Sequence, residues 1–115
     1  MELFLSGKHH TLIVKIYGEL DHHAAISIRE SVDRELARTG ARNVAFDLSR
    51  VTFMDSSGIG VIMGRYKIAK TLGGRVIIYG ASEEVGRIIN MSGIGDIAVI
   101  ADSMEDGIRE VEANV

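Results

Sequence analysis

Apolar and polar residues follow one another in blocks along this chain of 115 residues, and the period within each block indicates an element. Residues 11–17 (TLIVKIY) are rich in β-formers and apolar on both faces. That is the pattern of a strand covered from both sides, and Gly18 is expected to close it. Residues 2–6 (ELFLS) can pair with it as a short hairpin arm through residues 7–10. Asp21 then stands where a helix needs an N-cap, and Ala25, Ile28, Val32 and Leu36 follow at spacings of three and four. Gly40 supplies the left-handed residue that ends such a helix. Residues 43–48 (NVAFDL) put Val44, Phe46 and Leu48 on one face of a second strand. Residues 59–72 read as a helix, stopped by Gly73 and Gly74. Val76–Tyr79 (VIIY) is another doubly covered strand. Ser82 with Glu83 and Glu84 opens a helix that ends at Gly93. Residues 97–100 (IAVI) form a last strand, and Asp102 or Ser103 caps a last helix through Val111. The order is ββαβαβαβα over one domain, residues 1–115. It predicts an α/β fold with a mixed, largely parallel sheet of four to five strands and about four helices.

Composition narrows the function classes. There are no cysteines, which removes zinc ribbons, Cys nucleophiles and disulfide frameworks and fits a cytoplasmic protein. Net charge is −3 and only 5% of residues are aromatic. Without a basic stripe or stacking platform, direct nucleic-acid binding is not expected. The apolar runs fall far short of the roughly 20 residues needed to span a bilayer. The first residues lack the basic and apolar regions of a signal peptide.

The candidate chemistry lies in residues 53–60, FMDSSGIG, between a strand and a helix that starts near Ser57. Sites in α/β folds gather where the chain leaves the carboxyl ends of strands. The plainest reading makes Ser56 an N-cap accepting the N–H of Gly58 or Ile59. A hydrolase nucleophile requires G-x-S-x-G, and Met54 stands in the first glycine position. His22, His23 and Asp55 are not tied into a triad by spacing. A nucleotide loop is poorly matched too: Gly58, Gly60 and Gly64 give G-x-G-x-x-x-G, with no P-loop lysine and no ribose-binding acid after the next strand. A modified serine is the third alternative to the cap. Phosphate at a helix start is tolerated by the free amides and the dipole. With Asp55 beside it, that phosphate would make the local surface hard for a partner to bury.

The following helix shows two apolar stripes. One holds Ile59, Ile62, Met63, Tyr66 and Ala69; the other holds Val61, Arg65, Ile68 and Leu72. The first can face the sheet, and the second is a candidate docking surface with a basic residue in it. Close packing is the expected reason for Gly64. His22 and His23 are adjacent on a helix and point about 100° apart, which makes them poor co-ligands, so no metal or cofactor is expected.

Residues 18–25 (GELDHHAA), 46–67 (FDLSRVTFMDSSGIGVIMGRYK) and 91–96 (MSGIGD) resemble the STAS family of anti-sigma factor antagonists, in particular its sporulation branch. The resemblance runs over nearly the whole chain. It implies a transcription regulator that is a kinase substrate rather than an enzyme, with Ser56 as the phosphorylated serine. The implied partners are an anti-sigma factor that is itself a serine kinase, bound in its ADP form and phosphorylating with ATP, and a PP2C-type phosphatase acting on phospho-Ser56. Asp21, Asp55, Ser57, Gly58, Val61 and Arg65 are the expected partner-binding residues, with Asp21 first of all an N-cap. The alternatives are another interaction module or stress-signalling scaffold on the same fold, and a nucleotide-binding domain.

Overall fold

The computed structural model describes residues 1–113. Glu2–Leu5 (β1) runs antiparallel to Thr11–Leu20 (β2) through a tight turn, as the hairpin reading expects. Asn43–Met54 (β3), Val76–Tyr79 (β4) and Val99–Ala101 (β5) add to β2 in parallel. The strands lie in sequence order, β1-β2-β3-β4-β5. The helices are His22–Thr39 (α1), Ser56–Thr71 (α2), Glu83–Ser92 (α3) and Met104–Glu112 (α4). The predicted element order and the α/β class hold throughout.

The sheet is covered on both faces, but unequally. One face carries Leu12, Val14, Ile16, Val44, Phe46, Leu48, Val76 and Ile78 and packs beneath α1, α2 and α3. The four apolar positions of the first helix pattern, Ala25, Ile28, Val32 and Leu36, are the ones α1 buries there. The other face carries Ile13, Ala45, Ile77, Tyr79 and Val99 and, among the described helices, meets α4 through Met104, Ile108 and Val111. That helix lies over β3, β4 and β5.

Helix termini follow their capping chemistry. The carboxylate of Asp21 accepts the Ala24 N–H at 2.9 Å, the Ser82 hydroxyl accepts from Val85 at 3.2 Å, and that of Ser103 accepts from Asp106 at 3.1 Å. Gly40 and Gly93 close α1 and α3 in the left-handed region, where a Cβ is unfavourable. The buried carboxylate of Glu112 ties the end of α4 to the β1–β2 hairpin, accepting hydrogen bonds from the Ser6 and Thr11 hydroxyls.

Four boundaries differ from the sequence expectation. Gly18 does not end β2. It adopts φ +81° inside the strand, next to register shifts between Lys15 and Tyr17 and between Gly18 and Glu19. These bulges let β2 and β3 continue to Leu20 and Met54, beyond Asp47, the last β3 residue paired with β4. Residues 94–96, at the foot of the expected last strand, form a single 3-10 turn, and β5 begins only at Val99. Helix α2 starts at Ser56, ahead of the 59–72 span of its apolar pattern and one residue before the expected start near Ser57.

Candidate functional site: the start of helix α2

Beyond Asp47 only β2 and β3 remain paired, so the carboxyl end of the sheet carries a two-stranded lip. Leu20 and Met54 are register partners at its rim. The next residues, Asp21 and Asp55, therefore leave the sheet side by side, on strands spaced about 4.8 Å apart. Each caps the helix that follows it. Parallel strands thus place two helix N-termini and two carboxylates at one edge.

Asp55, not Ser56, is the N-cap of α2, which corrects the sequence reading. Its backbone is extended (φ −115°, ψ −167°), and Oδ1 accepts the Ser57 N–H at 2.8 Å. Its carbonyl accepts the N–H groups of Gly58 and Ile59 at 3.1 and 3.3 Å. An Asp at this position has the same capping capacity as a Ser, and the register of β3 hands the role to the first residue past the strand. Ser56 becomes the first helical residue. Its side chain is exposed and its hydroxyl takes no part in the cap. Ser57 lies half-buried with its N–H held by Asp55.

The same geometry revises the expected fate of a phosphate. The amides of residues 57–59 already have acceptors on Asp55. A phosphoryl group on Ser56 would not find them free, so most of its charge would face solvent and whatever docks there.

Gly58 is buried against the rim. A Cβ built there would lie 2.6 Å from Met54 Cγ and 2.9 Å from Leu20 Cγ. The missing side chain lets the first turn of α2 rest on the lip. Close packing is thus the reason for Gly58, while a Cβ at Gly64 would meet nothing within 4 Å. That reverses the expectation for Gly64.

The second apolar stripe of α2 is not the exposed docking surface expected of it. Val61 lies in the core and Arg65 is only 5% exposed. Arg65 Nε lies 3.0 Å from Asp33 Oδ1 of α1, and NH1 donates to the Val61 carbonyl at 3.3 Å. The Nε contact is an ion pair without a hydrogen bond, while NH2 donates to Asp33 Oδ2 at 3.4 Å. Burial pulls the guanidinium below its usual range, Asp33 opposes this, and Arg29 adds to it. Arg65 therefore joins α1 to α2. Val61 and Gly58 likewise seat the helix, and only Ile68 and Leu72, at its far end, approach solvent. Of the expected partner-binding set, Asp55 and Ser57 flank Ser56, and Asp21 lies at the same edge of the sheet, past the register partner of Met54. Among the described residues no group of His, Asp and Glu is arranged to hold a metal ion, and no helix is long and apolar enough to cross a membrane.

Residues 5–107 match the STAS domain family. The chain belongs to that family. It is 37% identical over 114 residues to an anti-sigma F factor antagonist of Paenibacillus polymyxa, an alignment covering 97% of each chain. Its fold is similar to that of the anti-sigma factor antagonist SpoIIAA in unphosphorylated form (TM-score 0.84, 30% identity, 99% of this chain and 97% of the other). It is also similar to that of the Bacillus cell fate determinant SpoIIAA in phosphorylated form (TM-score 0.73, 28% identity, 95% and 96%). The STAS resemblance carried by the three sequence segments is thus borne out, and with it the five-stranded α/β fold. The chain is homologous to anti-sigma factor antagonists, which are regulators of transcription.

Proposed function

We propose that this protein is a cytoplasmic anti-sigma factor antagonist, not an enzyme, and that it switches partners through Ser56. Unphosphorylated, it binds an anti-sigma factor that is a serine kinase in its ADP form and so releases the sigma factor. With ATP the kinase phosphorylates Ser56 and lets go, and a PP2C-type phosphatase restores the serine.

The observation that carries this reading is the division of labour at the start of α2. Asp55 supplies the cap, so the exposed Ser56 hydroxyl has no structural duty and modification leaves the helix start intact. A phosphoserine adds about −1.5 to −2 charges at neutral pH. With the local amides occupied by Asp55 and Asp21 on the adjoining strand end, those charges add to an acidic rim. A partner seated on the rim must desolvate them, and every 1.4 kcal/mol of that cost weakens binding about tenfold. The relatives' names and the existence of a phosphorylated SpoIIAA structure support the same reading.

The test is incubation of the protein with its cognate anti-sigma factor and ATP, followed by intact-mass and peptide mapping. A single phosphate on Ser56 is expected, with none on Ser56→Ala. Calorimetric titration with ADP present should show Ser56→Ala binding like the unmodified protein and the phosphorylated form binding at least tenfold more weakly. Phosphate on Ser57 alone would overturn the site assignment. Undiminished binding of the phosphorylated form would overturn the switch.

A further inference from the structure

The chain has only six aromatic residues, three Phe and three Tyr, and three of the six are exposed on one face of the sheet. Phe4 is 43%, Tyr17 45% and Phe53 46% exposed. Phe4 is the register partner of Ile13, which points to the α4 side. Tyr17 follows Ile13 and Lys15 by strand alternation, while Ile16 between them enters the opposite core. Phe53 pairs with Glu19, and their neighbours Met54 and Leu20 both enter the core beneath α1 and α2. Phe53 therefore faces the α4 side as well. Among the described residues α4 lies over β3, β4 and β5 and reaches β2 at Thr11 and Ile13, so the outer part of this face, formed by β1, β2 from Lys15 onward and the lip of β3, has no helix packed over it.

Exposed rings in such number on one face are the composition of an interface core rather than of ordinary surface. The charges among them indicate the occupant. Glu2 and Lys15 are register partners, as are Lys15 and Asp47, and Arg50 stands beside Tyr17. The Lys15 ammonium lies 5.9 Å from the centre of the Tyr17 ring, and the Tyr17 hydroxyl donates to Glu2. The face thus mixes two basic residues, Lys15 and Arg50, with three acidic ones, Glu2, Glu19 and Asp47. A surface carrying both signs around an apolar centre complements its own copy after a two-fold rotation, as an isologous contact requires.

We infer that this bare sheet face is a self-association surface through which two copies of the chain form a reversible face-to-face dimer. Tyr17 and Phe53 form its centre, and Lys15 and Arg50 lie against Glu2 and Glu19 of the second copy. Aromatic side chains of ordinary size with this exposure present roughly 250 Å² together. That is about a third of the ~800 Å² contributed by each side of a stable interface, so the dimer is weak and concentration-dependent. Helix α2 lies on the opposite face of the sheet, so the contact leaves Ser56 uncovered.

Sedimentation velocity between about 10 µM and 1 mM, the range of a weak complex, tests this directly. A sedimentation coefficient that rises toward the dimer is expected. Tyr17→Ser and Phe53→Ser should each abolish the rise while leaving the circular-dichroism spectrum and melting point nearly unchanged, since both rings are exposed. Arg50→Glu should weaken association more than tenfold, and adding Glu19→Arg should restore it. A monomer at every concentration, or a dimer indifferent to both aromatic variants, would overturn the inference. It would also be overturned if Phe53→Ser weakened binding to the anti-sigma factor while self-association was absent, because the face would then belong to that partner.

Discussion

Gly58 and Gly64 lie six residues apart on α2, yet alanine should act on them in opposite directions. At Gly64 a Cβ meets no atom within 4 Å. Only backbone propensity remains, and it favours Ala over Gly by about 1 kcal/mol in a helix interior. Gly64→Ala should therefore stabilise the fold by about 0.5–1 kcal/mol. At Gly58 the new methyl would lie 2.6 Å from Met54 Cγ and 2.9 Å from Leu20 Cγ. Neither is the free end of a flexible side chain, and Leu20 and Met54 are both fully buried. Relieving the clash means lifting the first turn of α2 or moving two core side chains, an overpacking cost of about 1–3 kcal/mol. Propensity returns less than its full value in the first turn, so the net is destabilisation by about 0.5–2 kcal/mol. The two variants should differ by roughly 1–3 kcal/mol. In urea, with a slope of about 1–3 kcal/mol/M for a domain of this size, their midpoints should separate by about 1 M. Gly60→Ala, also with nothing within 4 Å of its Cβ, is the control and should follow Gly64→Ala. A Gly58→Ala midpoint equal to that of Gly64→Ala would refute the reasoning, because the lip would then have room for a methyl group.

The α1–α2 ion pair should respond asymmetrically. Asp33→Ala strands the buried Arg65 guanidinium and should cost about 2–4 kcal/mol, whereas Arg65→Met leaves only a carboxylate that water reaches and should cost about 1 kcal/mol or less, both read from urea midpoints. Glu112→Ala leaves the Ser6 and Thr11 hydroxyls without their acceptor and should cost about 2–3 kcal/mol, with faster amide exchange in α4 than in α2. Tyr79 titrates well above its ordinary value, first because of burial and then because Asp47 and Glu105 disfavour a phenolate beside them. The folded state thus holds this proton more tightly than the unfolded chain. Its contribution is complete below about pH 10, where an unfolded tyrosine titrates, and is lost as pH rises above that. Tyr79→Phe should match the wild type in urea midpoint at pH 8 and exceed it near pH 11; parallel loss in both proteins would refute the assignment.

Much of the fold was legible because its local signals agree. Asp21, the spacing of Ala25 through Leu36 and Gly40 all specify the same helix, and α1 starts, packs and stops where they indicate. Val76–Tyr79, Ser82 and Gly93 are equally consistent. The misreadings cluster where tertiary contacts decide. Arg65 is a charged residue in an apolar stripe, and sequence patterning gives such residues to solvent. Its burial depends on Asp33 from another helix, and nothing in the spacing of either helix announces that pair. Gly58 and Gly64 look alike in sequence, and only the lip of β2 and β3 distinguishes them.

The lip was also the hardest element to read, and it is the one that presents the candidate site. The buried residues at the end of β3 are Leu48, Val51 and Met54, a spacing of three that fits no regular strand. Two register shifts opposite β2 explain it, because each inserts a residue into β3 and so carries the next apolar side chain to the same face. Without those insertions strict alternation would turn Val51 or Met54 outward, and the lip would lose its contact with the core beneath α1 and α2. With them, the chain leaves the sheet beyond the reach of β4, beside the end of β2, and Asp55 arrives at the rim in an extended conformation that can cap α2. The exposure of Ser56 therefore follows from the bulges upstream as much as from the DSSG residues themselves. Deleting Thr52, the residue inserted between the partners of Gly18 and Glu19, should thus disturb the Ser56 site even though Thr52 is exposed and lies upstream of it.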